Sequence, residues 1–83
     1  MELKKQKTLS LKDSFIRQME KDILSGRLSV GQKLPSEREL AERFAVSKAV
    51  IHAGILEMEE SGFVLVRPRV GTFVSDFRMD GGK

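Results

Sequence analysis

One pentapeptide in the middle of the chain, Pro35-Ser36-Glu37-Arg38-Glu39, limits what can be built on either side of it. Ser36 with Glu39 three residues on is a capping box. The serine hydroxyl accepts from the Glu39 amide, and the Glu39 carboxylate reaches back to the Ser36 amide. Pro35 stops a helix from running in and biases Leu34 toward an extended conformation. A short helix therefore starts here, from Glu37 to Phe44, with Leu40, Ala41 and Phe44 on one side. Ala45 and Val46 make a tight turn, and Ser47 caps a further helix that stops at Gly62. Ile51, Ile55 and Met58 form its core stripe at i, i+4, i+7.

Upstream, Phe15, Ile16, Met19 and Ile23 recur at helical spacing and predict a helix from about Ser10 to Ser25. Ser10 with Asp13 marks its start and Gly26 its stop. Gly26 to Gln32 reads as a loop turning at both glycines, and Lys33-Leu34 as a very short strand. After Gly62 the apolar period falls to two. Phe63 to Arg67 predicts a strand, Pro68 to Gly71 a turn, and Thr72 to Ser75 a second strand. Residues 1–9 read as a basic arm, 10–75 as one domain, and 76–83 as a linker cut short.

Composition narrows the functional classes. Eighty-three residues make one small domain, which buries only about 60% of its unfolded surface. The net charge of +3 is uneven. Residues 1–12 carry +3, 13–36 carry +1, 37–62 carry −3 and 63–83 carry +2. Cysteine is absent, which excludes disulfides, thiolate zinc and a cysteine nucleophile. The longest apolar run, Phe63 to Val66, is too short to span a membrane. No apolar signal core follows Met1, so a cytoplasmic location is expected. No Ser–His–acid set or carboxylate pair has a recognisable spacing, and the lone His52 has no second ligand at i+4. Neither an enzyme nor a cofactor or metal protein is expected.

Two short helices joined by a tight turn and followed by a basic hairpin have the layout of a winged helix-turn-helix: mostly α, three helices plus a wing. In that layout the second helix of the pair enters the major groove, so its first turn carries outward-facing polar or small residues. Ser47, Lys48, Ala49 and His52 stand there, opposite Ile51 and Ile55. The hairpin tip must approach the backbone or minor groove, which suits Arg67, Arg69, Gly71 and Thr72.

The strings "LSGRLSVGQKLPSERELAERFAVSKAVIHAGILEMEESGFV" and "RVGTFV" resemble the N-terminal domain of the GntR family of bacterial transcription regulators. The tail "FVSDFRMDGG" resembles the FadR-like subfamily, in which it leads into a helical ligand-binding domain absent from these residues. The resemblance implies a sequence-specific DNA-binding module, with contacts from Arg38 and the adjoining Ser36, from Lys48 and His52, and from the wing near Arg69 to Thr72. It also implies a palindromic double-stranded operator and a homodimer assembled through the absent domain, with the present chain monomeric. Lys48 and His52 stand where the family has arginine, Ala45 where it has glycine, and Gly54 where it has alanine.

Each residue also has a plainer reading. Arg38 pairs with Glu42 across one helical turn, Lys48 is a surface lysine, and Arg67 and Arg69 keep strand edges from aggregating. The lysines of the arm are a solvated terminus. Glu57, Glu59 and Glu60 would repel phosphate but lie at the far end of their helix. A winged-helix protein-interaction domain without DNA binding is the alternative function, since a fold does not fix a function. Salt separates the two, because phosphate binding weakens steeply with it.

Overall fold

The computed structural model describes residues 10–76. The basic arm and the end of the linker lie outside the described residues. The elements run α1 (Leu11–Ser25), α2 (Glu37–Phe44), α3 (Lys48–Glu60), β1 (Val64–Arg67) and β2 (Gly71–Val74). This is the expected winged helix-turn-helix.

Each helix starts where a serine hydroxyl accepts an amide of the first turn. Ser10 takes Asp13 N at 3.0 Å, Ser36 takes Glu39 N at 3.1 Å and Ser47 takes Val50 N at 3.2 Å. The reciprocal half of the box at Ser36 is not formed. Glu39 turns instead toward Arg43, one helical turn on, with Oε2 at 3.8 Å from its Nη2. The helices end with equal economy. Gly62 adopts φ 88° while Phe63 N donates to Met58 O and Gly62 N to Glu59 O, the pattern of a Schellman cap. Ala45 does the same at φ 56°, with Val46 N donating to Ala41 O. An alanine thus holds a left-handed position that glycine fills at less cost.

These caps direct one core. Phe15, Met19 and Ile23 of α1 meet Leu40 of α2 and Ile51, Ile55 and Met58 of α3, with Leu34, Val64 and Val74 closing the wing side. Phe15 packs edge-on against Phe44, with ring centroids 5.0 Å apart. Leu56 projects away from this stripe and is exposed, as its helical position requires.

The wing is an antiparallel pair in which Val64 faces Val74 and Arg67 faces Gly71. Its strands shift by one residue from the expected bounds. Phe63 is excluded because its amide closes the α3 cap, and Gly71 is included because the hairpin loop holds only residues 68–70. The short strand at Lys33-Leu34 is reduced to a bridge between Lys33 and Phe73, flanked by hydrogen bonds from Leu34 N to Thr72 O and Val74 N to Gln32 O. Glu59 fixes the wing to α3 by accepting the free edge amide of Val66 at 3.3 Å. Glu57 pairs with Lys12 on α1 at 2.9 Å. Two of the three glutamates at this end of α3 are therefore structural ties.

Candidate nucleic-acid interface

The candidate surface is built from the starts of α2 and α3 and from the tip of the wing. Capping sets the first two. Because Ser36 and Ser47 use their oxygens on the first turn, both helices begin cleanly in exposed segments, and Arg38, Lys48 and Ala49 stand outward there. Ile51 and Ile55, on the opposite face of α3, are buried and hold that helix against the core.

The wing tip is set by a tight turn. Val70 N donates to Arg67 O at 3.0 Å, with Pro68 second and Arg69 third at φ 69°. This is the type II pattern, whose third position favours glycine. Arg69 holds it at a cost of about 1–2 kcal/mol. Gly71 follows at φ 146°, another region closed to most side chains. A Cβ on Gly71 would stand 2.6 Å from Lys33 Cε. The small size expected to admit a duplex thus also makes room for Lys33.

Between α2 and the wing runs a groove of about 610 Å³. It gathers Ser36, Arg67, Arg69, Gly71 and Thr72, together with Lys33 and Glu37. Arg38 faces a separate recess with Ser36, Glu39 and Glu42. Lys48 and Ala49 line neither hollow and lie on the open surface of α3. Arg38, Lys48, Arg67 and Arg69 are all exposed and form no ion pair among the described residues. The expected Arg38–Glu42 pair is not made. Arg43, further along α2, takes Glu39 instead.

His52 is the exception among the basic candidates. Its Nδ1 lies 2.7 Å from Glu37 Oε2, joining the second turn of α3 to the first turn of α2. Glu37 lies in the capping segment, 15 residues from His52 along the chain. No local pattern links residues on two helices, so only the fold reveals the contact.

Residues 11–74 match the family described as bacterial regulatory proteins, gntR family. The HTH-type transcriptional regulator Mce2R of Mycobacterium tuberculosis is 36% identical over 73 residues, covering 88% of this chain and 30% of that protein. The Uxu operon regulator of Haemophilus influenzae is 36% identical over 56 residues, covering 68% of this chain and 21% of that protein. The chain thus spans less than a third of these curated relatives. Among solved structures, AraR(DBD) in complex with operator ORX1 superposes with a TM-score of 0.81 at 27% identity, covering 84% of each chain. A GntR family transcriptional regulator from Listeria monocytogenes, 24% identical, shares the fold with a TM-score of 0.82 over 90% of this chain and 67% of that one.

Proposed function

Because the chain belongs to the gntR family of bacterial regulatory proteins, we propose that it is the sequence-specific DNA-reading head of a transcription regulator. The observation that carries this reading is the superposition over 84% of each chain on AraR(DBD), a domain solved on its operator.

In this reading α3 lies in the major groove, which is wide enough for one helix. Lys48 and His52, one turn apart, point into it, with the small Ala49 beside Lys48 permitting close approach. Lys48 offers a point charge to guanine O6 and N7, since an ammonium lacks the fork of a guanidinium. Arg38 with Ser36 at the start of α2, and Ser47 at the start of α3, hold the backbone. Arg67, Arg69, Gly71 and Thr72 carry the wing onto phosphate or into the minor groove. Four unpaired cations on three elements suit this role, because each phosphate neutralised releases a counterion.

The relatives extend well beyond this chain, which supports its being one part of a longer regulator. The head acts in the cytoplasm as one of two on a palindromic operator, joined through a ligand-binding domain after residue 83. Alone it is a monomer and binds weakly, because joining two heads raises affinity by about 10²–10⁴-fold. No helix among the described residues is long and apolar enough to cross a membrane.

Fluorescence anisotropy with a labelled random-sequence duplex tests the reading. Affinity that falls steeply as salt rises supports it. Binding that is absent at low salt, or indifferent to salt, favours a protein-interaction domain.

A further inference from the structure

The contact between His52 and Glu37 places a carboxylate on a surface proposed to meet phosphates, where a free negative charge opposes binding. The geometry shows what occupies that charge. A carboxylate only accepts, so at 2.7 Å the ring must donate Nδ1–H to Glu37 Oε2. The remaining nitrogen, Nε2, has no partner among the described residues, and the His52 side chain is 57% exposed. His52 follows Lys48 by four positions, which puts both on one face of α3. In the neutral ring with its proton on Nδ1, Nε2 is an acceptor.

We propose that Glu37 is a specificity-determining positioning residue: it fixes the tautomer of His52 so that Nε2 accepts from an exocyclic amino group in the major groove. This rests on the DNA-reading function proposed above. The donors available there are cytosine N4 and adenine N6, whereas guanine presents O6 and N7 and thymine presents O4, all acceptors. An arginine at position 52 has only donors and pairs instead with acceptors, guanine O6 and N7, thymine O4 or adenine N7. Glu37 therefore acts through the histidine and touches no base. Its carboxylate also binds the ring across the α2–α3 junction, which limits the rotamers His52 must give up on binding.

The test is a randomised-duplex selection with the protein at pH 8. Wild type, Glu37→Gln, Glu37→Ala, His52→Ala and Lys48→Ala are compared, with circular dichroism to confirm folding. Wild type should enrich one base pair at one position. His52→Ala and Glu37→Ala should both lose that preference, about tenfold or more, at that position and no other. Glu37→Gln, which keeps a carbonyl oxygen for Nδ1–H without the charge, should retain it. Lys48→Ala should relax a different position. A preference unchanged in Glu37→Ala overturns the positioning role, as does a wild-type affinity that is unmoved when the exocyclic amino group of the selected pair is removed, by purine in place of adenine or 2-pyrimidinone in place of cytosine. A wild-type protein that enriches no sequence contradicts the DNA-reading function itself.

Discussion

The ring of Phe15 fills the space in which a Cβ on Gly54 would stand, with Cδ2 only 2.6 Å and Cε2 2.8 Å from that point. Phe15 is 1% exposed and packs against Phe44, so it has little room to withdraw. Helix propensity alone favours alanine over glycine by about 1 kcal/mol. Overpacking a filled core costs about 1–3 kcal/mol, which outweighs it. Gly54→Ala should therefore lower the unfolding free energy of this chain. Urea unfolding checks the sign. In a Phe15→Leu background the same substitution should cost less, because the two positions share one space.

Two left-handed residues, one in a turn and one in the wing, make a second comparison. Ala45 at φ 56° closes a helix and carries no side chain that could reach DNA, whereas Arg69 at φ 69° sits at the wing tip. Replacing either with glycine should stabilise the fold by about 1 kcal/mol. Their effects on DNA should differ. Ala45→Gly should leave affinity unchanged, and Arg69→Gly should weaken binding and reduce the salt slope by about one unit. Equal affinities for the two variants would remove Arg69 from the interface.

The tie between α1 and α3 has a predicted pH signature. The hydrogen bond from Lys12 to Glu57, aided by the field of the carboxylate, raises the lysine above its ordinary value of 10.5. A lysine raised in the folded state stabilises the fold at all pH values below its unfolded value. That stability is lost as pH climbs through the folded value. The Tm difference between wild type and Lys12→Gln should hold steady from about pH 7 to pH 10 and close only above 10.5. A gap that closes between pH 7 and 9 contradicts the assignment.

The parts of the fold legible in the sequence were those with a local cause. Ser10, Ser36 and Ser47 each act within three residues, Gly26 and Gly62 each end a helix by their own φ, and the Ile51–Ile55–Met58 stripe follows from helical period. Strand bounds were off by one because they depend on where a neighbouring cap takes up an amide, as Phe63 shows. The candidate site was legible as a set of residue types at the helix starts and wing. Its internal relationships were not. His52 meeting Glu37, Lys33 filling the space beside Gly71 and Glu59 holding Val66 join residues from different elements. Even Arg38–Glu42, a pair the local rule allows, gave way to Arg43–Glu39 on the same helix.

If the first turn of α3 reads DNA, Lys48 is the side chain whose loss should be felt first. Lys48 is exposed, unpaired among the described residues and outside the core, so Lys48→Ala should leave folding intact. The decisive measurement is the dissociation constant of wild type and Lys48→Ala for the duplex selected by the wild type, as a function of salt. Lys48→Ala should lose about 1–3 kcal/mol on the selected duplex and less on random sequence. Equal affinities of the two proteins for the selected duplex at every salt concentration would contradict it.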